Sequence, residues 1–194
     1  MRKALLAIVI LASASCGEMS RQGTASSYLV VETLEAASGA EPGEFGGDLN
    51  SDVITLVDGN PTVFADLARV QFAVQMKDPG TVNFPNAPGP NNAITVDRYH
   101  VEFIRTDGRN TPGVDVPYAF DGAFTVTVFS RGEAAFTLVR VQAKREAPLS
   151  GLAISRVPIS TIAEITFYGH DQTGREVSAT GRISVNFTNW ADPD

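Results

Sequence analysis

The sequence predicts an all-β antiparallel sandwich, and three observations carry that expectation. Apolar and polar residues alternate with period two over several separate runs, the mark of strands with one buried and one wet face. Turn-forming residues punctuate the chain between those runs: Glu41-Pro42-Gly43, Asp58-Gly59-Asn60-Pro61, Asp107-Gly108, Asp121-Gly122 and Asp171-Gln172-Thr173-Gly174. No segment has the period and length of an amphipathic core helix. Ala36–Glu44 is too rich in Gly and Pro, and Pro148–Ala153 has room for one short turn. About eight or nine strands follow, packed as a sandwich, with a closed β-barrel as the alternative.

The first predicted strand is the β-branched run Tyr28–Thr33, and the second is Val53–Val57. Next, Val70, Phe72, Val74 and Met76 alternate with Arg69, Gln71 and Gln75. Tyr99, Val101 and Phe103 then alternate with Arg98, His100 and Glu102, which places Tyr99 in the core. Phe124, Val126 and Val128 alternate with Thr125 and Thr127. In Phe136–Ala143, Phe136 and Leu138 point one way while Val139 and Val141 point the other, so a central place in the sheet is expected. Ile162–Tyr168 and the long alternation from Val177 to Phe187 complete the set.

The stretch Ala163–Phe187, which includes ITFYGHDQTGREVSATGRISVNF, resembles the closing hairpin of immunoglobulin-like domains of bacterial surface proteins. In those, a strand, a D-x-x-G turn and a Val-containing strand end the domain. The resemblance implies an immunoglobulin-like sandwich and no particular function, since that fold serves many.

Ahead of the strands stand Met1-Arg2-Lys3, an apolar run from Ala4 to Ala12, and Ser13-Ala14-Ser15-Cys16. A basic head, a short apolar core and small residues make a secretory signal peptide, and the run is too short for a permanent membrane span. Cys16 is the single cysteine of the chain. Its placement resembles a bacterial lipoprotein signal, which implies acylation of Cys16 and a lipid anchor. Ser13 stands where that pattern usually has Leu, Val or Ile. The alternative uses Ala12-Ser13-Ala14 as an ordinary cleavage site and leaves a periplasmic or secreted protein. Gly17 and Glu18, with no Asp directly after the cysteine, imply by the same resemblance the outer membrane. The predicted organisation is a signal peptide over 1–15, a lipid-anchored tether over 16–27, small and polar throughout its length, and a β-sandwich domain over 28–194.

Charge limits the partners. With 15 Lys and Arg against 22 Asp and Glu, the formal net charge is −7, and losing Arg2 and Lys3 makes the exported part more acidic still. Such a field repels nucleic acid, so no nucleic-acid partner is expected. A disulfide within the chain is excluded by the single cysteine.

Chemistry-bearing patterns are sparse. Asp48, Asn50 and Asp52 have the alternate oxygen spacing that begins an EF-hand loop, but Val53 replaces the turn glycine and Gly59 stands where the bidentate Glu belongs. These three are weak calcium candidates in a polar loop, and no cofactor is otherwise expected. His100 and His170 lack the paired spacing of a zinc site. There is no G-x-S-x-G elbow, H-E-x-x-H or phosphate-binding glycine loop, so the reading is not an enzyme. Two long loops flank the Tyr99 strand at opposite ends, Asp78–Ala93 and Asp107–Pro117.

The function expected is a non-catalytic cell-envelope lipoprotein that contacts an envelope or surface protein, with strand addition at an exposed sheet edge as the route. The alternative is a ligand-binding module for carbohydrate or calcium. Its contacts would be Phe84, Asn86, Asn91 and Asn92 in the 78–93 loop, and Trp190, which reads first as a cap on the end of the sandwich.

Overall fold

A computed structural model describes residues 24–155 and 157–189. In chain order the strands are β1 (Ser27–Ala37), β2 (Asp48–Asp52), β3 (Thr55–Val57), β4 (Asn60–Thr62), β5 (Asp66–Met76), β6 (Gly80–Thr81), β7 (Phe84–Pro85), β8 (Ile94–Ile104), β9 (Phe120–Val128), β10 (Arg131–Val139), β11 (Ile159–Asp171) and β12 (Glu176–Thr188). Between β10 and β11 stand a short α-helix, α1 (Val141–Arg145), and a 3-10 segment over Leu149–Ala153.

Eight strands make two main sheets, one of three in the order β1-β5-β10 and one of five in the order β2-β12-β11-β8-β9. Pairs β3-β4 and β6-β7 are small separate ribbons. The main pairings are antiparallel except β2 with β12, which run parallel. Along the chain β1, β5 and β10 go to the first sheet and β2, β8, β9, β11 and β12 to the second, where β8-β9 and β11-β12 are neighbours in sequence as well as in space, and β1 packs across against β12. The all-β sandwich expected from the alternation is the fold.

Aromatic rings fill the space between the sheets. Phe72 of β5 meets Phe167 of β11 edge-on at 5.0 Å, and Phe136 of β10 meets the same ring at 5.4 Å. Tyr99, buried as its phase predicted, packs 4.8 Å from Phe136, and its hydroxyl donates to the Thr137 carbonyl at 3.2 Å. That bond joins the five-stranded sheet to the three-stranded one. Burying each such ring contributes about 1.5–3 kcal/mol, so this cluster is a main source of cohesion.

Several elements depart from the expectation. Phe136–Ala143 is not one strand: β10 stops at Val139, and Gln142 and Ala143 lie in α1. Nor is β10 central, since it sits at the edge of its sheet. A register shift between Thr137 and Val139 lets consecutive Leu138 and Val139 both turn inward, which mimics a strand covered on two faces. The Asp48–Asp52 stretch, read as a polar loop, is strand β2. Its alternation is real but carried by one apolar residue, the buried Leu49, between exposed Asp48 and Asn50. The expected Val53–Val57 strand shrinks to β3, part of a small ribbon. Ala25 and Ser27, ahead of Tyr28, are buried. Cys16, the signal and Trp190 lie outside the described residues.

A polar network closes the end of the sandwich where β1 stops and β5 starts. Asp66 Oδ1 accepts the Gly39 N–H at 2.8 Å and the Lys144 ammonium at 2.7 Å. Asp66 Oδ2 accepts the Ser51 hydroxyl at 2.6 Å, and Lys144 also donates to the Asp52 carbonyl at 2.7 Å. The network ties β1, β2, β5 and α1 together.

Candidate functional site

The opposite end of the sandwich collects the features that the sequence singled out. Ser27 opposes Met76, Ile94 opposes both Val128 and Asp171, and the two-residue turn Phe129–Ser130 carries the chain from one sheet to the other. The start of β1, the 78–93 segment and the β11–β12 turn therefore share this end. Hydrogen bonds stitch them. Ser27 Oγ donates to the Asn92 carbonyl at 3.2 Å, and Asn92 Nδ2 donates to Ser26 Oγ at 3.0 Å. The Lys77 N–H donates to the Ser26 carbonyl at 3.1 Å, and Gln172 Nε2 to the Ala93 carbonyl at 3.3 Å.

The 78–93 segment is not a plain loop. It holds the β6–β7 hairpin, in which Thr81 opposes Phe84. Asp78 Oδ1 accepts the Gly80 N–H at 2.9 Å, Pro79 O accepts the Asn86 N–H at 3.0 Å, and the Phe84 N–H donates to Thr81 Oγ1 at 3.2 Å. Gly80 has φ of 75°, a backbone state that glycine adopts without strain, and its position leaves no room for a Cβ. The hairpin thus presents Val82, 100 % exposed, at an apex shared with Asn83, and Phe84, 80 % exposed, at the start of β7.

Phe84, Asn86, Asn91 and Asn92 all lie on this segment, so four of the five predicted contacts are brought to one end. Two of the amides are engaged internally: Asn92 as above, and Asn86, whose Nδ2 donates to the Asp78 carbonyl at 3.3 Å. β12 runs away from this end and finishes at Thr188, beside Asp52 at the other. The two long loops flank β8 at opposite ends, as expected from an unbroken strand.

Around the corner, on the outer face of the five-stranded sheet, a shallow depression of about 240 Å³ is lined by Asp97, Arg98, Tyr168, His170, Glu176 and Ser178, among others. A bulge in β8 builds it. Arg98 and Val96 pair with consecutive Tyr168 and Gly169 of β11, which leaves Asp97 as the extra residue on that side; toward β9 the same step pairs Val96 with Val126 and Arg98 with Ala123, so there β9 carries the extra residue. Asp97 is thereby aimed at His170, whose Nδ1 is 3.5 Å from Asp97 Oδ2. The Arg98 guanidinium lies 4.7 Å above the Tyr168 ring. Reading period two along β8 could not reveal the bulge. His100, on the same outer face, has its Nδ1 2.9 Å from Asp121 Oδ1. No hydroxyl partners either histidine among the described residues.

Asp171 closes this end. Burial pushes its carboxyl up, but the Arg175 N–H, the Thr173 hydroxyl and the Thr173 N–H outweigh that and hold it below the usual aspartate range. All three donate to Oδ1, at 2.9, 2.7 and 2.8 Å. The D-x-x-G motif is thus an aspartate-capped turn.

The calcium candidates do not converge. Asp48, Asn50 and Asp52 are spread along β2, where Asn50 Oδ1 accepts Asn186 Nδ2 at 3.3 Å and Asp52 Oδ2 accepts the Thr55 hydroxyl at 2.7 Å. Among the described residues no three His, Cys, Asp or Glu side chains gather into a metal-holding group.

Strand addition has a narrow route. Edges β9 and β10 lie against each other at the corner they share, and β1 lies against β12 and β2. Among the described residues no helix is long and apolar enough to cross a membrane. Comparison of the chain with protein-family models, curated proteins and solved structures finds no match.

Proposed function

We propose that the protein is a non-catalytic cell-envelope lipoprotein, anchored at the outer membrane through Cys16, whose β-sandwich contacts another envelope or surface protein. The observation that carries this reading is the run Met1–Cys16, a basic head, a short apolar core and small residues directly before the single cysteine. Consistent with a tethered domain, β1 starts at Ser27, a short polar stretch beyond that cysteine. The surface offered to a partner is polar. Thr95 shares a hydrogen bond with Thr127, Thr166 with Thr180, and Arg182 pairs with Glu164 on the outer face of the five-stranded sheet.

Metabolic labelling with a radioactive fatty acid in a bacterial host tests the reading. The wild type takes up label and partitions with membranes, and Cys16→Ala loses both. An unlabelled wild type in the soluble fraction overturns it.

A further inference from the structure

We infer that Val82 at the apex of the β6–β7 hairpin and Phe84 beside it, together with Tyr28, form a bilayer-contacting surface that seats the domain on the membrane to which Cys16 tethers it. The inference rests on the lipoprotein reading and adds an orientation and a second membrane contact to it.

Geometry is the first argument. The chain comes into the domain at the end that carries the hairpin, and hydrogen bonds from Ser27, Asn92 and Lys77 lock the two together. Residues 17–23 separate Cys16 from the first described residue, a span of at most roughly 25–30 Å when extended. As a flexible coil it is nearer ~15 Å. An anchored Cys16 therefore holds this end close to the lipid surface.

The chemistry of that end is the second argument. Two-residue hairpin apices normally carry Asn, Asp or Gly, which water solvates well. Here Asn83 supplies one such residue, but the other apex position is a fully exposed Val82, and Phe84, first in β7, is 80 % exposed beside it on a hairpin tied by its own hydrogen bonds. Tyr28 and Phe129 add half-exposed rings at the same end. The Lys77 ammonium lies 5.0 Å from the centre of the Tyr28 ring, an aromatic and a long cation of the kind that settle at headgroup depth.

Two features select the occupant. A sugar platform needs free polar side chains beside the ring, whereas Asn86 and Asn92 use their Nδ2 donors within the protein, on the Asp78 carbonyl and the Ser26 hydroxyl. The net charge of −7 opposes attraction to anionic lipid, so the contact is apolar, zwitterionic lipid suffices and salt has little effect. Two inserted side chains are a weak contact alone, but the tether supplies a high effective concentration.

The test uses the full-length protein processed in a bacterial host and reconstituted in vesicles of phosphatidylcholine and phosphatidylethanolamine. Acylation occupies the only native thiol, so Val82→Cys, Phe84→Cys or Ile154→Cys each provides one site for a solvent-sensitive fluorophore. Ile154 is 93 % exposed near the opposite end and serves as control. The expected result is blue-shifted emission at 82 and 84, quenched by spin-labelled acyl chains and unchanged by salt, with water-like emission at 154. Water-like emission at 82 and 84 in fatty-acylated protein overturns the bilayer contact and leaves the anchor standing. Absence of the acyl group overturns the anchor, and this inference with it. A shift that requires an added glycan or envelope protein, or one seen at 154 instead, also overturns the contact.

Discussion

Lys144 Nζ lies 2.7 Å from Asp66 Oδ1, and both side chains are sealed from solvent, at 1 % and 0 % exposure. Desolvating two charges is costly, and the attraction between them offsets that only when the remaining donors and acceptors are also satisfied. They are: Gly39 and Ser51 complete the carboxylate, and the Asp52 carbonyl takes a second ammonium proton. The pair therefore fixes which elements meet, holding the short helix α1 and the single parallel strand β2 against β5.

Removing one partner leaves the other charged and dry. Lys144→Met is expected to destabilise the fold by about 3–5 kcal/mol. Replacing both residues, as in Lys144→Met with Asp66→Asn, is expected to cost less than the sum of the two single changes. Urea unfolding of the three variants gives the comparison, and additive losses would show that the pair is not coupled.

Acid should weaken the fold in part through Asp171. Its carboxyl is held below its ordinary value of 3.8 by donors that prefer the charged form. In the unfolded chain it takes up a proton at higher pH than in the folded one. The contribution is therefore complete above the ordinary aspartate range and drains away as pH falls through the lower, folded value. Asp171→Asn is expected to flatten the fall in urea midpoint below about pH 4. Asp107 is also held low, first by the Arg105 side chain and then by the Arg109 N–H, but it is exposed. Measurement in ~0.5 M salt screens its share and leaves that of Asp171.

What the sequence showed and what it hid divide along physical lines. Period-two alternation located β5, β8, β9 and β12, because each has one face on the ring cluster and one in water, and the run Ile162–Tyr168 located β11. It missed β2, where Ser51 and Asp52 are buried polar residues satisfied by Asp66 and Thr55, contacts distant or unpatterned in sequence. The burial of Lys144 is hidden for the same reason: nothing local announces that Asp66, 78 positions away, will receive it. Phe84, Asn86, Asn91 and Asn92 were legible as one segment through their prolines and asparagines. That Asn86 donates back to Asp78, that Asn92 ties the segment to Ser26, and that Val82 stands at its apex depend on pairing that composition does not encode. The Asp97–His170 approach was hidden by the bulge, which breaks the very period used to find strands.

Gly169 is where that bulge meets its neighbour. A Cβ there would collide with the Thr95 carbonyl oxygen and come within 2.9 Å of the Val96 Cα, both backbone atoms that cannot swing away. The β8–β11 ladder can thus accommodate Asp97 as an extra residue only if its partner strand has no side chain at this point. Gly169→Ala should push the two strands apart around the bulge. A loss of roughly 1–3 kcal/mol is expected, with faster amide exchange at Val96, Arg98 and Tyr168. Gly151 has nothing within 4 Å of its Cβ position, so Gly151→Ala should stay within about 0.5 kcal/mol of wild type. Equal effects from the two substitutions would mean that the close approach at Gly169 does not constrain the sheet. A loss confined to Gly169→Ala would tie the placement of Asp97 opposite His170 to a single missing side chain.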